Sequence, residues 1–139
     1  MTEDISKRLK VGVGVIVLKD SKVLLGKRKN SHGGGTWNFP GGHMDYKESF
    51  FACARREVKE ETGIVITNLR KGPYTNDYFE KEDKHYVTIF ILADWKSGVP
   101  KVMEPDKCSQ WNWFAWNQIP KPHFLPLKNL LKDSYSPFK

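Results

Sequence analysis

The sequence has little of what marks secreted, membrane-spanning or disulfide-stapled proteins. Its 139 residues include only two cysteines, Cys53 and Cys108, which lie far apart and form no metal-type spacing. We interpret them as unpaired thiols, as is usual inside the cell. The apolar run at residues 11–18 is far shorter than the roughly 20 residues needed to cross a bilayer, and no small-residue cleavage site follows it. The sequence therefore predicts no signal peptide, no membrane anchor and a cytoplasmic location.

An excess of acidic residues is also lacking. Lys and Arg number 23 against 16 Asp and Glu, which gives a formal net charge of +7. This balance attracts polyanions, either nucleic acid or a small phosphorylated molecule. The basic residues are spread along the chain without a dense run or a recognised motif, which makes nucleic acid the less favoured partner. With 39% hydrophobic and 28% charged residues and no internal repeat, the composition is typical of one globular domain spanning residues 1–139.

Hydrophobic periodicity predicts strands arranged around helices. Strands are predicted at residues 11–17, 22–27, 64–69, 85–95 and 111–114, and helices at residues 46–62 and 126–131. Loops are predicted at residues 30–36 and 96–110, with a charged hairpin or loop at residues 77–84. The stretch 38–42 contains too many Pro and Gly residues to suggest regular structure. This order predicts an α/β fold in which a mixed sheet packs against helices.

The central predicted helix carries the residues best suited to chemistry. Glu57, Glu60 and Glu61 share one face, because residues three and four apart are neighbours on a helix. Crowded carboxylates repel one another, and a divalent cation that prefers oxygen ligands, Mg²⁺ or Mn²⁺, relieves that repulsion. An adjacent apolar stripe would fix the helix against a core; it consists of Phe51, Ala54 and Val58. The alternative interpretation is a solvated acidic patch.

Two neighbouring features favour a metal site over such a patch. Arg56 is placed to pair with or orient a nearby carboxylate. Upstream, Gly41 and Gly42 let backbone groups approach a phosphate or a metal closely, which a side chain would prevent.

The spacing of these residues resembles the complete box of the nudix hydrolase family. The matching positions are Gly42, then Glu48, then Arg56-Glu57-Val58-Lys59-Glu60-Glu61-Thr62-Gly63-Ile64. From residue 11 to the Pro137-Phe138 tail, the chain is similar to the MutT-like nucleoside triphosphate diphosphatases of that family. The resemblance implies an α/β/α sandwich with a mixed β-sheet, in which the box forms a loop, a helix and a loop.

The resemblance also implies roles for the residues of the box. Glu57 and Glu61 would be the principal ligands of Mg²⁺, for which Mn²⁺ could substitute, and Glu60 would share the site. The Gly41 carbonyl resembles a further ligand, and Arg56 would act in catalysis by orienting Glu57. A water molecule would attack the phosphate chain, with either Glu60 or Glu61 as general base. The resemblance implies that Glu48 is structural or supports a metal ligand, and an ideal helical wheel, which places it opposite Glu57, supports giving it no direct role.

Substrate-binding residues follow from the same resemblance. They are Arg28 for phosphate, Gly42 next to the phosphate chain, and Phe39, Thr88 and Phe124 around a base. Phe124 stands where the bacterial MutT type has an asparagine that reads an oxidised purine, which argues against automatic selectivity for 8-oxoguanine. Glu104 resembles an extra glutamate that some members supply to a metal. An aromatic cluster of core, dimer or stacking function is expected from Trp111, Trp113 and Trp116.

The sequence leaves the substrate open. The leading hypothesis is hydrolysis of a nucleoside triphosphate, normal, modified or oxidised, to a monophosphate and pyrophosphate. An isoprenyl diphosphate, a nucleoside diphosphate sugar or a 5′-capped RNA is the enzymatic alternative. A non-catalytic binding module for nucleotides or nucleic acid is the alternative of a different class. Similar proteins are homodimers, so a homodimer is also expected.

Overall fold

The computed structural model describes residues 5–29 and 32–138, so the first two residues of the predicted 30–36 loop lie outside the described residues. Seven strands are present: β1 (Lys10–Lys19), β2 (Lys22–Arg28), β3 (Trp37–Asn38), β4 (Gly41–His43), β5 (Val65–Phe79), β6 (Lys84–Ser97) and β7 (Cys108–Ala115). Two α-helices accompany them, α1 (Phe50–Thr62) and α2 (Leu125–Lys132). Short 3-10 helices cover Ile5–Lys7 and Trp116–Gln118.

The strands form one mixed sheet in the order β3-β2-β1-β6-β5, with β4 paired to β1 and β7 paired to β2. β1 and β6 run parallel over nine residue pairs, whereas the other pairs of strands are antiparallel. β1 pairs with β2 only at its last two residues, and its first half pairs with β4 instead. The sheet therefore opens between β2 and the start of β1, and this opening leaves room for a cavity.

The two helices cover opposite faces of the sheet. Val13, Val15 and Val17 alternate along β1 and pack in one core with residues of α1. Ile16, which points the other way, packs in a second core with Leu127 and Leu130 of α2. The α/β/α sandwich expected from the resemblance is confirmed.

Helix α1 is shorter at its start than the predicted range 46–62. It begins at Phe50 because Ser49 is its N-cap, and the Ser49 side chain accepts a hydrogen bond from the Ala52 amide at 3.1 Å. It ends at Gly63, whose φ of 76° suits the left-handed cap. The predicted apolar stripe is confirmed, since Ala54 and Val58 are fully buried and Phe51 packs against the same core.

Three expectations about strands were wrong. The stretch 38–42, expected to be irregular, contributes to β3 and β4, because β4 pairs with the glycine-bearing half of β1. The strand predicted at residues 64–69 extends to Phe79 as β5, since bulges along β5 interrupt the alternation that the sequence pattern relies on. The charged hairpin or loop predicted at residues 77–84 is a hairpin, in which residues 80–83 form the turn between β5 and β6. β7 begins at Cys108, inside the predicted 96–110 loop.

The three tryptophans do not form one cluster. Trp111 and Trp113 of β7 pack against the core on the α1 side. Trp116 packs against the core on the α2 side, because the chain leaves β7 after Ala115 and turns into a 3-10 helix.

Two further expectations concern cysteines and membranes. Both cysteines are unpaired, as predicted. Within the described ranges, no helix is long and apolar enough to cross a membrane.

Candidate active site

A cavity of about 560 Å³ lies at the opening between β2 and β1. Every residue that the sequence assigned to catalysis, metal binding or substrate binding contributes to its wall. These residues are Arg28, Phe39, Gly41, Gly42, Arg56, Glu57, Glu60, Glu61, Thr88 and Phe124. Glu104 and Trp111 also line the cavity. The structure therefore brings the predicted residues together, while their individual roles stay predictions.

Arg56 is the centre of the acidic wall. Its Nη1 donates to Glu57 Oε1 at 2.7 Å and lies 3.4 Å from Glu60 Oε2. Its Nε and Nη2 donate to the two oxygens of Glu48 at 2.8 and 2.9 Å, a bidentate pairing. This pairing, together with the Asp45 amide, lowers the pKa of Glu48 to about 2. Arg56 is thereby fixed on one side by Glu48 and on the other aligns Glu57.

Glu48 does not line the described part of the cavity, and it lies just before α1 rather than within it. The helical-wheel argument assumed that Glu48 lies within the helix, and this assumption was wrong. Glu48 nevertheless makes a structural contact, its pairing with Arg56, as was expected. Through Arg56, Glu48 positions a carboxylate that it does not itself touch.

Glu61 is a partly buried carboxylate of the acidic wall. Its Oε1 accepts a hydrogen bond from the Gly41 amide at 2.7 Å. Burial raises the pKa of Glu61 to about 8, with further increases from the charges of Glu57 and Glu104, and the Gly41 amide only partly offsets them. Burial likewise raises the pKa of Glu57, against the lowering effect of Arg56. The wall thus contains two partly buried carboxylates whose raised pKa values show that nearby positive charge does not fully offset their burial.

This donor set fits a hard divalent cation by its chemistry. Three glutamates of α1 and Glu104 supply only oxygen ligands, which suit Mg²⁺ or Mn²⁺, and a cation would offset both their burial and their mutual repulsion. Across residues 5–29 and 32–138, no three His, Cys, Asp or Glu side chains already converge as a ready-made ligand group. The residues therefore suit the ion without being gathered around one point.

The two glycines of β4 are required by close contacts. A Cβ atom on Gly41 would lie 2.1 Å from the Val13 carbonyl oxygen on β1. A Cβ atom on Gly42 would lie 2.5 Å from Glu57 Oε2. Gly42 therefore leaves room for the Glu57 carboxylate at the edge of the sheet. The reason predicted from the sequence was a different one, the close approach of a phosphate or a metal.

Arg28 forms a second, basic wall. Its guanidinium lies 4.0 Å from the centre of the Phe124 ring and donates to the His32 carbonyl at 3.1 and 3.2 Å. Burial lowers the pKa of Arg28. The Phe124 ring, 8% exposed, also contacts the rings of His32 and Phe79. One face of Phe124 is therefore already covered by Arg28.

The floor of the cavity contains Phe39 and Thr88. Phe39 is almost fully buried, with its ring 5.9 Å from that of Phe90 and 6.3 Å from that of Trp116. The Thr88 hydroxyl donates to Asp77 Oδ2 at 2.6 Å. Asp77 is completely buried behind Thr88 and was not among the predicted residues.

Sequence reasoning missed an aromatic rim around the cavity. The imidazole of His43 stacks on the Tyr86 ring at 5.5 Å, with Nε2 3.1 Å from the Tyr86 hydroxyl oxygen. Phe79 and His32 continue the rim. Tyr86 could have been found, because it lies two residues before Thr88 on the same face of a strand. Phe79 could not, since it falls in a segment whose charge gave no sign of a cavity wall and which was predicted to be a charged hairpin or loop.

Comparison with known proteins identifies the family. The NUDIX domain model matches residues 8–134. The chain belongs to the NUDIX family. It is 35% identical over 122 residues to an oxidized purine nucleoside triphosphate hydrolase of Mus musculus, covering 87% of this chain and 72% of that protein. It is 33% identical to an ADP-ribose pyrophosphatase of Methanocaldococcus jannaschii, covering 88% and 71%.

A solved structure of the same family has a similar fold. The MutT NUDIX hydrolase of Burkholderia pseudomallei superimposes with a TM-score of 0.79 at 33% identity, covering 84% of this chain and 90% of that one. The NUDIX family and the enzyme class expected from the box are confirmed, and this chain is a nudix hydrolase. Nudix hydrolases generally use divalent metal ions.

Proposed function

We propose that this nudix hydrolase cleaves a nucleoside triphosphate to a nucleoside monophosphate and pyrophosphate with the help of a divalent cation, Mg²⁺ or Mn²⁺. The observation that carries the proposal is that three chemically different surfaces line one cavity. An acidic wall on α1, the cationic Arg28 and an aromatic and hydroxyl-bearing floor line the same space. These surfaces match, in turn, a metal ion, a phosphate chain and a base.

In this proposal the acidic wall holds the cation. Glu57 and Glu61 would be the principal ligands, with Glu60 and the Gly41 carbonyl beside them and Glu104 approaching from outside the helix. When bound, the cation neutralises charge that develops on the phosphate oxygens and lowers the pKa of a nearby water. Arg56 keeps Glu57 in place through its 2.7 Å contact, and Glu48 keeps Arg56 in place.

Access distinguishes the two candidates for general base. The Glu61 carboxylate is partly buried and accepts from the Gly41 amide, whereas half of the Glu60 side chain is exposed and its contact with Arg56 is longer, at 3.4 Å. A general base must reach the attacking water and have a free lone pair. We therefore assign Glu60 as the general base and Glu61 as a ligand.

Arg28 and the floor would bind the rest of the substrate. The Arg28 guanidinium lines the cavity as the cationic group for the phosphate chain. Phe39, Phe124 and Thr88 would surround the base, with Gly42 next to the phosphates. An apolar ring at Phe124 cannot hydrogen-bond to an oxidised purine, so we propose that 8-oxoguanine is accepted without being strongly preferred. The relatives named as an oxidized purine nucleoside triphosphate hydrolase and an 8-oxo-dGTP diphosphatase support the purine nucleotide class.

A second candidate is hydrolysis of a nucleoside diphosphate linked to another group. The 33% identical relative named as an ADP-ribose pyrophosphatase favours it, because it covers 88% of this chain. The same acidic wall and arginine would serve that reaction, and only the group beyond the second phosphate would differ. A cytoplasmic location and a homodimer stay predictions from the sequence.

A substrate panel with Mg²⁺ tests the proposal. It comprises dGTP, 8-oxo-dGTP, dATP, dCTP, ADP-ribose, an isoprenyl diphosphate and NAD-capped RNA. We expect the deoxynucleoside triphosphates to have the highest kcat/KM, with pyrophosphate and monophosphate as products. Protein carrying Glu61→Gln, purified in parallel, measures contaminating phosphatase. Faster cleavage of ADP-ribose would favour the second candidate, and binding of nucleotides without turnover would indicate a non-catalytic module.

A further inference from the structure

The carboxylate behind the floor of the cavity is the most unusual polar group outside the acidic wall. Asp77 lies on β5 with no exposed surface, and burying a carboxylate is costly unless donors satisfy it. Its partners are neutral. Oδ2 accepts from the hydroxyls of Thr88 at 2.6 Å and Thr75 at 3.1 Å, and Oδ1 accepts from Asn129 Nδ2 at 2.9 Å. The nudix box and the proposed metal site use none of these four residues, and only Thr88 belongs to the proposed base-binding floor.

Thr88 connects this buried network to the substrate cavity. It lies on β6 opposite Gly12 of β1 and lines the cavity, with 7% of its surface exposed. Gly14, two residues further along β1, has no side chain to cover the floor beside it. Thr88 therefore stands between the cavity on one side and the buried Asp77 carboxylate on the other.

A hydroxyl has one proton to donate and two lone pairs that can accept. The hydrogen bond between Thr88 and Asp77 therefore determines whether the Thr88 hydroxyl can donate to a base or only accept from it. Because the proton of Thr88 is directed to Asp77, the cavity receives only lone pairs from this hydroxyl. We propose that Asp77 determines base specificity by holding Thr88 as a hydrogen-bond acceptor, which favours bases that present an amino group over bases that present a carbonyl. This inference rests on the proposed nucleoside triphosphate substrate.

Asp77→Asn reverses the direction of the hydrogen bond between residue 77 and Thr88 with the smallest change in side-chain shape. The neighbouring Asn129 Nδ2 is a donor, so the carbonyl oxygen of the new amide would face Asn129. The amide NH₂ would then face Thr88 and donate to its oxygen. The Thr88 proton would be free to point into the cavity, and the hydroxyl would become a donor to the base.

The test uses two pairs of substrates that differ in this exocyclic group, dATP against dITP and dCTP against dUTP. The readout is the ratio of kcat/KM for the amino member to that for the oxo member. We expect the wild type to favour the amino member in at least one pair. Asp77→Asn should lower that ratio about tenfold, since an unmatched polar group at a buried contact costs about 1.4 kcal/mol or more.

Two controls separate positioning from structural support. Thr75→Val removes another hydroxyl from the same carboxylate oxygen, but Thr75 is not part of the described wall of the cavity, so the ratio should stay at the wild-type value. In a Thr88→Val background, Asp77→Asn should no longer change the ratio, because the hydroxyl through which it acts is gone. If Asp77→Asn does not fold, Thr88→Val alone must still lower the ratio.

An unchanged ratio in Asp77→Asn, an equal loss for both members, or an effect that persists with Val at position 88 would overturn the inference. Calorimetric binding of AMP, IMP, CMP and UMP makes the result independent of turnover. If Asp77→Asn reverses the binding preference between amino and oxo nucleotides but the wild type hydrolyses none of the triphosphates, the result counts against the proposed function alone. Hydrolysis with an unchanged ratio would count against Asp77 alone, and a wild type that neither binds nor cleaves any of these nucleotides would overturn both.

Discussion

The three glutamates of α1 have the same charge and lie on one helix, yet each has a different environment. Glu57 is held by Arg56, Glu61 is partly buried against the Gly41 amide, and half of the Glu60 side chain is exposed. Spacing alone predicts that they share a face, but it treats them as equivalent. The difference comes from β4, whose glycines bring a backbone amide to Glu61 and leave room for Glu57. Assigning a ligand and a base among them therefore needs the packing of β4 against α1.

Glu61→Gln tests the metal assignment at the scale of one residue. A glutamine keeps a carbonyl oxygen that can accept from the Gly41 amide, so the fold should persist. It removes the negative charge that a cation requires, and we expect kcat/KM with Mg²⁺ to fall by about a hundredfold or more. Steady-state kinetics and circular dichroism on the same preparations provide the measurement. The matched control is Glu80→Gln in the exposed β5–β6 turn, and wild-type turnover in Glu61→Gln would rule out this metal site.

Residues outside a motif were harder to predict than residues within it. All ten assigned residues line the cavity, because the box fixes the spacing of the acidic residues and the family resemblance implies the substrate-binding ones. Asp77 and Phe79 were missed, since their segment is rich in charge and was predicted to be a charged hairpin or loop without a role in the site. Phe79 reaches the cavity, and Asp77 the back of its floor, only because β5 continues along β6 as far as Phe79, a long-range pairing that local sequence does not encode.

At the scale of elements, α1 is positioned by its two ends as much as by its apolar stripe. Ser49 caps the first turn and Gly63 ends the last one. Between them, the buried stripe holds the acidic face towards the cavity. The sequence predicted the stripe and the end of the helix, but placed its start four residues too early because residues 46–49 carry no strong helix breaker.

Ser49→Ala should weaken the helix without altering the residues of the cavity. The Ala52 amide would lose its partner, and we expect the free energy of unfolding to fall by about 1 kcal/mol. Urea unfolding, followed by the circular dichroism of the helices at 222 nm, gives the free energy of unfolding. Ser49→Asp serves as the matched control, because aspartate also caps helices and should retain most of the stability. An equal loss in both variants would show that the cap contributes little here.

At the scale of the molecule, the cavity depends on a sheet that divides. β1 pairs with β2 at one end and with β4 at the other, so no single strand pattern in the sequence shows the opening. The α/β/α class was predictable from the order of elements and the family resemblance. The path of β4 and the separation of the tryptophans on two faces of the sheet were not, because both follow from where the chain turns after pairing.

Acid stability is a property of the whole molecule that the Glu48–Arg56 pair should influence. The chain already carries a formal net charge of +7 at pH 7, and protonation of its carboxylates makes it more positive as the pH falls. The pKa of Glu48 is about 2 in the folded protein and 4.5 without its partners. The unfolded chain therefore binds the proton first, so Glu48 contributes stability above pH 4.5 and loses that contribution as the pH falls towards 2.

Glu48→Gln should remove this dependence. We expect the variant to be less stable than the wild type near neutral pH, and the difference between the two to shrink steadily between pH 4.5 and pH 2. Urea unfolding at pH 7, 4 and 2.5 measures both proteins, and contributions from other titrating groups cancel in the difference. Glu80→Gln, measured in parallel, controls for the loss of one negative charge from an exposed turn. A difference between wild type and Glu48→Gln that is constant over this range would mean that Arg56 is held in place by contacts other than the charge of Glu48.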